Sequence, residues 1–206
     1  MKWHPSSIGN LMASPRNKTE ALSEGAKTYI REIAKQNFYG YKSEIRTKPV
    51  MKGIDQELES IALLNAVRFT DYKKNNLRVE TEYLSGECDI ITEDSIIDCK
   101  TSWSLETFPA FGSEAHNSKY EWQGVAYMLL YDKPLFELVY CMISTGDDLL
   151  SDWDNKSIHQ VDHIEPAKRI TVLKYERNVE KEEFMNEKLV HASMFYAMCI
   201  AELNDK

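Results

Sequence analysis

The chain has 206 residues, of which 43% are hydrophobic and 28% charged, which is enough to bury one sizeable core and too little for a second. No apolar run approaches bilayer length and residues 1–10 hold no secretory apolar segment, so a cytoplasmic protein without membrane contact is expected. The net charge is −8, so a nucleic-acid partner has to be met by local clusters of cations, for which Arg16, Lys18, Lys27 and Arg31, then Arg46, Lys48 and Lys52, are the candidates.

Ile8, Leu11 and Met12 recur at helical spacing behind Ser6 and Ser7, which predicts a short helix over 6–13 that Pro15 ends. A longer helix is predicted over 19–38, with Leu22, Ala26, Tyr29, Ile30 and Ile33 on one stripe and Gly40 as its stop. A third, over 51–69, sets Ile54, Leu58, Ile61, Ala62 and Ala66 toward the core and completes an N-terminal helical region over 6–70.

The pattern then shifts to a period of two. Strands are predicted over 77–84, 87–92 and 95–101, joined by the short turns Ser85-Gly86 and Glu93-Asp94 as an antiparallel meander. A helix over 119–131 ends before Pro134, and 136–143 is apolar enough for a strand buried on both faces. An acidic loop over 146–155, a last strand over 169–176 and a closing amphipathic helix over 179–204 complete the chain. The expected fold is α/β (α+β) in one domain over 1–206, with a central mixed sheet of about five strands, within a core over 77–176, flanked by helices.

The four cysteines, Cys88, Cys99, Cys141 and Cys199, are scattered and form no CxxC pair, so they read as reduced, packed thiols. His159 and His163 lack further ligands at recognisable spacing and read as loop or strand-edge residues, while Trp103 and Phe108 read as core.

Asp98 and Lys100 lie two apart on one predicted strand and therefore point to the same face. Asp89, on the preceding strand, can lie beside them, and converging carboxylates of this kind suit magnesium or manganese. Phosphodiester hydrolysis uses such a set: a cation to polarise the phosphoryl oxygen and acidify a water, and a second positive group such as Lys100 for the developing charge. Glu57 and Glu59 sit on the third helix about 200° apart, so one of them at most can reach the sheet. Gln123 and Tyr127, four apart, share a face of a largely apolar helix, where a buried amide requires a polar partner.

In that order and those contexts, Gly53-x-x-x-Glu57, Asp89, Asp98-x-Lys100 and Gln123-x-x-x-Tyr127 resemble the lambda exonuclease and YqaJ-type viral recombinase group of the PD-(D/E)xK nuclease superfamily. The opening segment 6–12 with Pro15 and Arg16 is similar to that group's DNA-handling start, and the likeness covers nearly the whole chain. The resemblance implies a restriction-endonuclease-like core and a magnesium-dependent exonuclease, with manganese as a substitute, that resects linear double-stranded DNA, usually 5′ to 3′. It implies metal ligands at Glu57, Asp89, Asp98 and the Cys99 backbone carbonyl, with Lys100 orienting or activating water. Gln123 would position Lys100 or the substrate, and Ser7, Arg16 and Tyr127 would contact the DNA. It further implies a homotrimer working beside a single-strand annealing protein. Two departures stand out: Lys2 and His4 occupy the stretch where that group carries an arginine for the terminal 5′-phosphate, and Asp98 replaces its more usual glutamate. An endonuclease or single-strand nuclease of the RecB type would use the same metal site, and a non-catalytic nucleic-acid-binding module on a nuclease scaffold is the reading outside enzymes.

Overall fold

The structure, a computed structural model, describes residues 1–43 and 46–205. Its elements in chain order are α1 (Pro5–Ile8), α2 (Glu24–Tyr39), α3 (Lys48–Asp55), α4 (Glu57–Arg68), β1 (Val79–Glu80), β2 (Ser85–Gly86), β3 (Ile90–Ile91) and β4 (Ser95–Ser102). There follow α5 (Gly112–Ala115), α6 (Ser118–Tyr131), β5 (Leu135–Met142), β6 (Ile170–Glu176) and α7 (Val179–Asn204).

The main sheet has the order β3-β4-β5-β6, antiparallel at both outer pairs and parallel between β4 and β5. The parallel pair requires a crossover, and α5 and α6 supply it. Asn117 caps α6 by accepting the Lys119 N–H, and Asp132 ends it in the left-handed conformation at φ 51°. Because β4 is covered on both faces, its residues alternate between two cores. Ile96 packs with Ala126, Met128 and Phe136 beneath α1, α2, α6 and α7, whereas Ile97 and Cys99 pack with Ile61, Leu64 and Val139 against α4. Gly124 lets α6 approach the sheet closely, since a Cβ there would stand 2.2 Å from Phe136 Cδ1.

The helix expected over 51–69 is two helices, broken at Gln56, whose backbone leaves the helical region at φ −110° and ψ 22°. Lys52 explains the break. Its side chain is buried, 1% exposed, and donates to the carbonyls of Ser102, Trp103 and Ile143 at 2.8, 3.0 and 2.7 Å. α3 is thereby fixed across the ends of β4 and β5, and the chain has to turn before α4 can pack on the sheet face. The turn resets the helical phase: Ile54 and Leu58 are 69% and 63% exposed, Ala62 and Ala66 are exposed, and Ser60, Ile61, Leu63 and Leu64 form the buried face. Lys52 is therefore no part of a DNA-facing cluster, because all its donors are spent on strand-end carbonyls.

The three-stranded meander also resolves differently, and the main sheet has four strands, one fewer than expected. Within 77–84 the Thr81 hydroxyl accepts the Leu84 N–H at 3.1 Å, which folds a turn into the alternating stretch. β1 and β2 then pair as a separate ribbon, and the edge beside β2 is taken by Trp3, whose N–H donates to Tyr83 O and whose carbonyl accepts from Ser85 N. The predicted helix over 6–13 reduces to the single turn α1, and the one over 19–38 starts at Glu24, where Ser23 Oγ accepts the Ala26 N–H. The acidic stretch over 146–155 is irregular apart from 3-10 turns at Asp147–Leu149 and Lys156–Ile158, the second of which begins just beyond it. Among the described residues no helix is long and apolar enough to cross a membrane.

Candidate active site

The chemistry-bearing side chains converge at the C-terminal half of β4. Asp98 is buried on the α6 side of the strand, and Gln123 Nε2 donates to its Oδ1 at 2.9 Å. Lys100, two residues on and on the same face, brings Nζ to 2.6 Å from Asp98 Oδ2. That approach is a charge contact, and the buried Oδ2 has no partner other than this ammonium. The Lys100 ammonium also lies over the Tyr120 ring, 5.0 Å from its centroid. Burial works against the Lys100 charge, but the Asp98 and Asp89 carboxylates outweigh it and hold the ammonium above the ordinary lysine range.

The β3/β4 register pairs Ile90 with Ile97 and Ile91 with Ile96, so one further step sets Asp89 opposite Asp98. Asp89 Oδ2 accepts the Cys99 N–H at 2.7 Å, a side chain doing what a ladder carbonyl would otherwise do. Burial first, and the Asp98 charge second, push the Asp89 carboxyl up to about 8; Lys100 and the Cys99 N–H oppose this and Glu57 adds to it.

Glu57 is the first residue of α4, delivered by the turn at Gln56, and it forms an ion pair with Lys74. Glu57, Asp89, Cys99 and Lys100 line one cavity of about 850 Å³, with Ser6 and Tyr120 beside them and Pro49, Val50, Gly53 and Ile54 as an apolar wall. Glu57 and Asp89 share this space, whereas the buried Asp98 does not line it, and among the described residues no three Asp, Glu, His or Cys side chains stand together as a ready metal cluster. Glu57 is drawn to Lys74, and Asp98 to Gln123 and Lys100. The donor set is nevertheless all oxygen, with one buried carboxylate oxygen met only by the Lys100 ammonium and one carboxyl strongly disfavoured as an anion. Both features suit a small hard dication, which would neutralise the excess negative charge.

Neither a protein-family model nor a curated protein matches this sequence. Among solved structures, the chain superposes on the phage-related exonuclease from Haemophilus somnus 129PT with a TM-score of 0.93 and 30% sequence identity, over 98% of this chain and 96% of that one. The chain belongs to this phage-related exonuclease family. The alkaline exonuclease LHK-Exo from Laribacter hongkongensis shares the fold with this family member at a TM-score of 0.72 and 10% identity, over 99% of this chain and 92% of that one. LHK-Exo in complex with dAMP matches it at a TM-score of 0.65 and 14% identity, over 98% and 90%.

The remaining expected site residues of this phage-related exonuclease family member lie as follows. Ser7 Oγ donates to His4 O at 3.0 Å within α1, and its neighbour Ser6 is the serine that lines the cavity. Arg16 borders a different cavity, with Asn17, Glu20 and Ser23. Tyr127 is buried next to the site and donates to Glu87 O at 2.8 Å, which holds the backbone leading into Asp89. His159 is buried and spends Nδ1 on Thr145 Oγ1 and Trp103 O, at 3.1 and 3.2 Å.

Lys74, Ser6 and Tyr120 stand at the site without having been singled out in the sequence. Tyr120 carries a usable signal, lying three residues before Gln123 on the same helix face. Lys74 carries none, because its partner Glu57 is on another element.

Proposed function

We propose that this chain is a magnesium-dependent deoxyribonuclease of the PD-(D/E)xK type that digests linear double-stranded DNA from its ends, 5′ to 3′, in phage-type recombination. The observation that carries this reading is the buried Gln123–Asp98–Lys100 arrangement, from which Lys100 reaches a cavity lined also by Asp89 and Glu57. The Haemophilus family member is described as an exonuclease, and LHK-Exo binds a deoxymononucleotide, the form in which an exonuclease releases its product.

Glu57, Asp89, Asp98 and the Cys99 carbonyl would hold the ion. A bound magnesium would polarise the scissile phosphoryl group and lower the pKa of a water. Lys100, kept charged by the acids around it, supplies the positive charge that steadies the attacking and developing oxyanions. Gln123 fixes the Asp98 carboxylate so that one oxygen is committed to the amide and the other faces Lys100. A homotrimer and a single-strand annealing partner belong to the same reading.

A time course on end-labelled linear duplex, with and without a 5′-phosphate and with magnesium or EDTA, tests it. Loss of label from the 5′ end first, in magnesium alone, supports the proposal. Cutting of covalently closed circles at the same rate would replace the exonuclease with an endonuclease, and no cutting in magnesium or manganese would overturn the nuclease reading.

A further inference from the structure

Outside the residues expected from sequence, one cation, Lys74, is paired with Glu57, an acid that lines the cavity. The segment leaving α4 is clamped on both sides of Lys74. Before it, Tyr72 N donates to Asn65 Oδ1 at 2.8 Å and Asn65 Nδ2 to Tyr72 O at 3.0 Å. After it, Asn75 N donates to the carbonyl of Asp89 at 2.7 Å, and Asn75 Nδ2 to Cys88 O at 3.1 Å. Lys74 is thus held by its main chain beside Asp89, and only its four-carbon stem is free to move the ammonium.

That ammonium sits on Glu57, at 36% exposure against 23% for the acid, and it also feels the charges of Asp89 and Glu87. It therefore occupies part of the charge balance that a dication would supply. Lys100 differs, because it stands over Tyr120 and against Asp98. When Glu57 turns to a metal, the Lys74 charge loses its nearest partner at the rim of a cavity whose incoming ligand is a phosphate chain.

We propose that Lys74 is a competing counter-ion for Glu57, displaced when the dication binds and then transferred to the backbone of the bound DNA. This rests on the nuclease reading above and adds a coupling between metal entry and substrate grip. Lys74 lowers metal affinity in the free protein and raises DNA affinity in the metal-loaded one.

The test uses the full chain, with manganese binding followed by calorimetry and binding of a short fluorescein-labelled duplex followed by anisotropy in calcium or in EDTA. Lys74→Gln is expected to bind manganese about three- to tenfold more tightly without DNA, and the duplex about three- to tenfold more weakly in calcium with no loss in EDTA. Lys74→Arg should behave as the parent, and so should Lys73→Gln, whose ammonium pairs with the exposed Asp71. Unchanged or weaker manganese binding by Lys74→Gln, or an equal loss of duplex affinity in calcium and EDTA, overturns the coupling while leaving the nuclease reading intact. A parent that binds neither manganese nor duplex removes both.

Discussion

Gln123 and Asp98 meet at 2.9 Å across the seam between α6 and β4, an amide donor on a carboxylate where both groups are buried. The contact makes the helix a support for the strand's acid. Gln123→Ala would leave the buried Asp98 Oδ1 without its hydrogen-bond donor, at a stability cost of about 1–3 kcal/mol. Losing a support of this kind is expected to slow DNA digestion by about 10- to 100-fold. Chemical denaturation and the initial rate on linear duplex measure the two effects, and a variant with the parent's rate would show that the amide does not position the acid.

The raised Asp89 carboxyl gives a pH dependence with a definite sign. The unfolded chain ionises this group near pH 4, whereas the folded, metal-free protein keeps it protonated up to about 8. Folded protein thus binds the extra proton across that window, so this group's contribution to stability is complete below about pH 4 and is lost as pH rises to about 8. A dication bound at Asp89 under the proposed function would take the place of that proton. Magnesium should therefore raise Tm more at pH 8 than at pH 6, release protons on binding below pH 8, and support faster digestion as pH rises through 7. Equal Tm shifts at both pH values would contradict the assignment of Asp89 to the metal.

The sequence revealed the parts of this site whose logic is local. Asp98 and Lys100 share a face because any strand alternates, and Gln123 stood out because a buried amide on an apolar helix requires a partner, which proved to be Asp98. α6, β5, β6 and α7 were legible from their caps, periods and apolar runs. The break at Gln56 was not, because its cause is Lys52 reaching the carbonyl of Ser102 at the end of β4 and of Ile143 just past β5, 50 and 91 residues away. The same holds for the β1–β2 ribbon, whose neighbour is Trp3, and for Lys74, whose value lies in reaching Glu57.

Lys52 should be a stability residue. Lys52→Met keeps much of the stem but strands the Ser102 and Ile143 carbonyls at the ends of the parallel strands, for an expected loss of about 2–4 kcal/mol by urea denaturation. A loss within about 0.5 kcal/mol, the range of ordinary surface substitutions, would contradict the capping role.

Gly124 and Gly53 form an opposed pair. Gly124→Ala forces a methyl into the fully buried Phe136 ring and is expected to destabilise by about 1–3 kcal/mol while displacing the adjacent Gln123. Gly53, in α3, has open space where a Cβ would stand, and Gly53→Ala should stabilise by about 0.5–1 kcal/mol. Thermal melts of the two variants, read with opposite signs, check the helix–sheet spacing on which the site depends.

Whether the Lys100 ammonium, set between Asp98 and Asp89, acts on the phosphodiester is tested most directly by the digestion rate of end-labelled linear duplex by Lys100→Ala in magnesium, with circular dichroism to verify the fold. A fall of about a hundredfold or more in a folded variant is the predicted result. Digestion at the parent's rate would contradict it.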